Sequence, residues 1–133
     1  SLNLHGNQIG VDGAEALAAS TTLANLAYLN LESNKIGADG AQALAASTTL
    51  IHLTSLNLGK NQLRDDAKAL AACTALTNLT SLNLHGNQIG VDGAEALAAS
   101  PTLINLTSLD LSSNDIGDDR GKAIKTRYPF AWL

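Results

Sequence analysis

What most constrains this chain is that it repeats itself. The segment Ser1–Leu23 (SLNLHGNQIGVDGAEALAASTTL) recurs as Ser81–Leu103, changed only where Thr21 becomes Pro101. Between and after these copies the pattern returns with drift. Pairs of leucines one residue apart fall at Leu2/Leu4, Leu29/Leu31, Leu56/Leu58, Leu82/Leu84 and Leu109/Leu111, spaced by 27, 27, 26 and 27 residues. An asparagine stands three residues after each pair, at Asn7, Asn34, Asn61, Asn87 and Asn114, followed by Ile9, Ile36, Leu63, Ile89 and Ile116. A unit this short cannot bury its apolar face alone, so the units must stack and share one elongated core.

Within a unit, Leu29-Asn30-Leu31 alternates with a period of two, which puts both leucines on one face of a short strand. Strands stacked at about 4.8 Å then form a parallel sheet with a leucine-lined inner side. The recurring asparagine reads as a structural ladder, its amide serving turn N–H and C=O groups that would otherwise be buried without partners. A helix follows. Asp12-Gly13-Ala14-Glu15, Asp39-Gly40-Ala41-Gln42 and Asp92-Gly93-Ala94-Glu95 each look like an N-cap acid with a capping-box Glu or Gln. Ala14, Leu17 and Ala18 fall at i, i+3, i+4 and predict an inward stripe. The third unit departs from the others: Leu63-Arg64-Asp65-Asp66-Ala67 is one residue short and lacks both glycines, which predicts a locally different turn.

The L-x-x-L-x-L-x-x-N-x-I/L blocks resemble leucine-rich repeats. The downstream I-G-x-D-G-A-x-A-L-A-A stretch is similar to the longer, helix-bearing class of ribonuclease inhibitor, Ran GTPase activators and NOD-like receptors, and to the bacterial G-A-x-A-L-A repeats of the GALA effectors. The resemblance covers the chain to about Arg127. It implies an α/β leucine-rich-repeat solenoid, right-handed, with a parallel sheet of about five short strands on the concave side and short helices on the convex side. We expect a single domain over residues 1–133, with repeats at 1–25, 26–52, 53–78, 79–105 and 106–133.

The two ends differ. Three of the four aromatic residues, Tyr128, Phe130 and Trp132, crowd into the last six positions. Lys125 also replaces the alanine of Ala18, Ala45, Ala71 and Ala98. These features predict an aromatic cap over 126–133, the alternative being an exposed partner-binding tail. Ser1 begins inside a strand block, so we expect a fragment without an N-terminal cap, whose open edge could support weak self-association.

Composition removes several functions. The net charge is −4, and the one basic cluster, Arg120, Lys122, Lys125 and Arg127, is interrupted by Asp118 and Asp119, so neither nucleic acid nor an anionic membrane is an expected partner. The single cysteine, Cys73, excludes an internal disulfide and favours a reducing compartment. It shares a column with Ser20, Ser47 and Ser100 and reads as a small filler, not as a reactive thiol. No cofactor or metal site is expected: there is no C-x-x-C, H-E-x-x-H or phosphate-cradling loop, and His5 and His85 lie roughly 14 Å apart by strand spacing. The glycines of the helical blocks belong to the repeat turns. His85, Ser112 and Asp110 suggest a hydrolytic triad by composition alone, but an open sheet supplies no oxyanion hole. The sequons Asn78-Leu79-Thr80 and Asn105-Leu106-Thr107 follow from the repeat consensus.

The solvent-facing strand positions make columns: Asn3, Asn30, Asn57, Asn83, Asp110; then His5, Glu32, Gly59, His85, Ser112; then Gly6, Ser33, Lys60, Gly86, Ser113. Ser1, Tyr28, Ser55, Ser81 and Ser108 flank them. We expect a non-catalytic module that binds an unidentified partner protein on this face, through Tyr28, Asn30, Glu32, Asn57, Lys60, Asn83, His85 and Asp110. The alternative is a set of structural spacer repeats in a larger protein, such as a bacterial effector or ligase adaptor, with no specific ligand. The expected location is the cytoplasm, or a host cytosol if the chain is a delivered effector.

Overall fold

A computed structural model describes residues 1–133. Five short strands, β1 (Leu2–Asn3), β2 (Tyr28–Asn30), β3 (Ser55–Asn57), β4 (Ser81–Asn83) and β5 (Ser108–Asp110), form one parallel sheet in sequence order. Each is followed by a helix: α1 (Gly10–Ala19), α2 (Gly37–Ala45), α3 (Lys68–Ala71), α4 (Val91–Ala98) and α5 (Asp118–Arg127). Leucine stands opposite leucine across the sheet, Leu29 against Leu56 and Leu56 against Leu82, and Asn30, Asn57 and Asn83 align likewise. Neighbouring helices need about 8–10 Å and neighbouring strands about 4.8 Å, so the helix side is the longer and the strand side is concave. One core of 34 buried residues runs through the stack. Leu44 and Leu97 on the helices meet Leu29, Leu56 and Leu109 from the sheet, all with 1% exposure or less.

The asparagine column carries hydrogen bonds between units. Asn61 is fully buried; its Oδ1 accepts from the N–H groups of Asn34 and Ile36, and its Nδ2 donates to the carbonyls of Leu31, Leu58 and Gly59. Asn34, Asn87 and Asn114 repeat the arrangement one unit apart. Asn7, on the first unit, donates to Leu4 and His5 and is exposed. A second column closes the helix C-termini. Ser47 Oγ donates to Ala18 O at 2.6 Å, Ser100 Oγ to Ala71 O at 2.7 Å, and Cys73 Sγ to Ala45 O between them. Cys73 is buried, and burial pushes its thiol above the usual range.

The helix starts correct the expected capping boxes. Helices α1 and α2 begin at Gly10 and Gly37, so Asp12 and Asp39 lie inside the first turn and make no capping bond; Asp92 in α4 makes none either. Their charge still faces the positive end of the helix dipole. Gly13, Gly40 and Gly93 also lie within helices and not in turns; a Cβ on Gly40 would meet Ile36 Cγ2 at 2.7 Å.

The third unit has the different turn its sequence implies: a 3-10 segment over Arg64–Ala67 precedes the four-residue α3. Its effect reaches the next unit. Asp65 Oδ1 accepts from the N–H groups of Gly90 and Gly93, both at 3.0 Å, and so caps α4 from the neighbouring repeat. The near-identical segment Ser1–Leu23 starts its helix in another way. There Gly10 is left-handed (φ 66) and its N–H donates to Asn34 O. Gly90, in the same sequence, is extended (φ −96), and α4 starts one residue later. Context, not local sequence, sets the difference.

At the C-terminal end Tyr128 and Ala131 are buried, and Tyr128 Oη donates to Leu97 O at 3.3 Å. Trp132 N–H donates to Leu109 O and Trp132 O accepts from Leu111 N–H, so the tail adds a sixth, one-residue rung to the sheet. Tyr128 and Ala131 are the buried side chains of this cover. Phe130 and Trp132 remain 38% and 71% exposed, so the aromatic tail is buried only in part.

Candidate functional site

Each strand of the concave face ends in a turn that spends part of its own polar equipment. Asn3, Asn30, Asn57 and Asn83 accept through Oδ1 from the N–H two residues on, at 2.9–3.1 Å. Asp110 does the same for Ser112. Asn30, Asn57 and Asn83 therefore offer a partner mainly their Nδ2 donors, and Asn57 already gives one to Glu32 Oε2 at 3.1 Å. The residue after the turn is left-handed in every unit, at Gly6, Ser33, Lys60, Gly86 and Ser113. Lys60 (φ 55) holds a long cationic side chain in a conformation L-residues rarely adopt.

Glu32 is the centre of the charged part of the face. Its carboxylate lies 3.8 Å from His5 Nδ1 and 3.8 Å from Lys60 Nζ. Gly59 makes room for this cluster: a Cβ there would stand 3.1 Å from His85 and 3.2 Å from Asn57 Oδ1. Tyr28 is 38% exposed beside Ser55, its partner across the sheet. The structure thus brings Glu32, Asn57 and Lys60 together around β2 and β3, with His85 leaning over Gly59. Tyr28 and Asp110 stand towards opposite ends.

His85, Ser112 and Asp110 do not make a triad. Ser112 Oγ donates to Asp110 Oδ1 at 2.6 Å instead of to His85, so the hydroxyl is held by the acid and not by a base. No three His, Cys, Asp or Glu side chains converge as metal ligands. The largest hollow, about 610 Å³, lies beside Leu111, Ile116, Gly121, Lys125 and Leu133 at the C-terminal end, away from these side chains. No helix is long and apolar enough to cross a membrane.

The pattern of the family described as leucine-rich repeat matches residues 1–18, 22–45, 49–71, 75–98 and 102–125, most of the chain. The chain belongs to the leucine-rich-repeat family. Among solved structures it is similar to an internalin from Listeria monocytogenes, at 29% sequence identity and a TM-score of 0.48. That match covers 84% of this chain and 36% of the internalin chain, so the present chain spans about a third of its length. No curated protein matches the chain.

Leucine-rich repeats are protein-interaction modules, and two residues of this one escape a reading by columns. Trp132 pairs in parallel register with Asp110 and extends the first concave column by one place. Its only sequence signal is membership of the aromatic tail, which says nothing of register. Asp65 acts across the repeat boundary, and its signal was the loss of the local glycines in the third unit.

Proposed function

We propose that the chain is a non-catalytic module that binds a partner protein on its concave strand face. One observation carries the reading. The face is open, its strands are held in register, and its outward side chains are half-exposed, while the leucines and the Asn34, Asn61 and Asn87 amides are buried in holding the stack. Tyr28, Asn30, Glu32, Asn57, Lys60, Asn83, His85 and Asp110 are the contact residues of this reading. An aromatic anchor at Tyr28 beside unspent amide donors suits a partner read largely through hydrogen bonds. The spacer alternative draws on the same face, since much of its amide oxygen is already committed to turns.

The reading extends to subclass and setting. The 26–27-residue spacing and the helix-bearing G-A-x-A-L-A block support the ribonuclease-inhibitor-like class and a bacterial origin. A buried, unpaired Cys73 supports a reducing compartment, the cytoplasm or a host cytosol.

The test is affinity capture from lysate with two baits, the parent chain and a Ser55→Arg, Ser81→Arg double variant. Neither serine side chain bonds elsewhere in the structure, so the turns stay intact and circular dichroism should not change. A partner held by the parent and lost by the variant supports the concave face. A partner held equally by both removes it, and no captured partner favours the spacer.

A further inference from the structure

We propose that Asp110 and Trp132 together form a seat for a cationic side chain, specifically an arginine of the protein that docks on the strand face. The inference rests on the concave-face reading and deepens it by naming what one end of that face recognises.

The argument begins with a departure from the repeat. Four units place asparagine in the first concave column, and Asn3, Asn30, Asn57 and Asn83 each use Oδ1 to accept from the N–H two residues on. Asp110 does this too, at 3.0 Å from Ser112 N. An amide therefore suffices for the turn, and the negative charge at Asp110 is surplus to it. Both hydrogen bonds to the carboxylate, from Ser112 N and Ser112 Oγ, go to Oδ1, which leaves Oδ2 without a partner. No lysine, arginine or histidine lies within ion-pair distance of it.

Trp132 supplies the second half. Its parallel pairing with Asp110 puts the indole on the same face, one strand spacing or about 4.8 Å along the sheet. It is the most exposed large apolar side chain of the molecule, at 71%. A carboxylate oxygen beside an open indole suits a planar guanidinium, which stacks on the ring while donating to the acid. The chain's own nearby cations are committed elsewhere. Arg127 sits over Tyr128, Arg120 pairs with Glu95, Lys122 pairs with Asp119, and Lys125 donates to Ala131 O. The seat is left for a cation from outside.

Trp132 is the only tryptophan of the chain, so its fluorescence reports on this site alone. The experiment titrates the chain with acetyl-arginine-amide, and with acetyl-citrulline-amide as the neutral isostere, following indole emission and the indole N–H resonance. The expected result is a saturable response to the arginine probe, on the order of millimolar, with none to citrulline. Asp110→Asn, which keeps the acceptor for Ser112 N–H and should leave circular dichroism unchanged, should weaken the response about five- to tenfold. Equal responses to both probes, or an unchanged response in Asp110→Asn, overturn the proposal. Because the probe needs no partner, a negative result here leaves the capture experiment to decide the concave face on its own.

Discussion

Asn61 shows what a single side chain does in this architecture. It serves five backbone groups from two adjacent units, all out of reach of water. Asn61→Ala should cost about 3 kcal/mol or more, because an unsatisfied buried donor or acceptor forfeits its full desolvation energy. Asn7→Ala should cost under about 1 kcal/mol, since the Asn7 side chain is exposed and donates only within its own turn. Urea denaturation of the two variants separates them. Cys73 is a quieter case. Burial raises its thiol pKa, with the N–H groups of Leu76 and Ala75 opposing weakly. The unfolded chain loses this proton first, so the site's contribution is fully present below the ordinary thiol pKa and is lost as pH rises through the raised folded value. Stability measured from pH 7 to 10 should fall at the alkaline end. Cys73→Ser, which places a hydroxyl where Ser47 and Ser100 already donate to a helix carbonyl, should reduce that fall without a large loss at pH 7.

At the scale of the element, the two near-identical segments act as an internal control. Residues 1–23 and 81–103 share all but one side chain, yet their helices begin differently, the second with Asp65 of the third unit accepting from Gly90 and Gly93. Asp65→Ala should cost about 1–2 kcal/mol, as loss of an N-cap does, and should speed amide exchange at Gly90 and Gly93. Asp92→Ala, which removes an acid without a capping bond, should cost under about 0.5 kcal/mol. The same pair shows where sequence reading stops. Strands β1–β5 and the inward stripe of Ala41, Leu44 and Ala45 follow from periods of 2 and 3.6, because those positions depend only on which residues face the core. The helix starts do not. Asp12 and Asp39 carry the composition of N-caps, but the left-handed Gly10 and Gly37 let the helix begin three residues earlier, with Ile9 and Ile36 at the cap positions.

At the scale of the whole molecule, each unit touches mainly its neighbours, so stability is the sum of unit and interface terms and the ends matter most. Tyr128→Ala should expose the edge of the last unit, remove one of the hydrogen bonds to Leu97 O and cost about 3–5 kcal/mol, read as an earlier thermal transition. The candidate face was legible from the sequence as columns of positions, because strand periodicity fixes which side chains point outward. Their commitments were not: that Asn30 and Asn83 lend an oxygen to their own turns, or that Trp132 aligns with Asp110, depends on loop geometry and on contacts far apart in the chain. The most direct test of the account is hydrogen exchange on the chain with and without its captured partner. The account predicts slowed exchange in the strand-to-turn segments 28–32, 57–60, 83–85 and 110–112, with helices α1–α4 unchanged. Protection confined to the helices, with those segments unaltered, would contradict it.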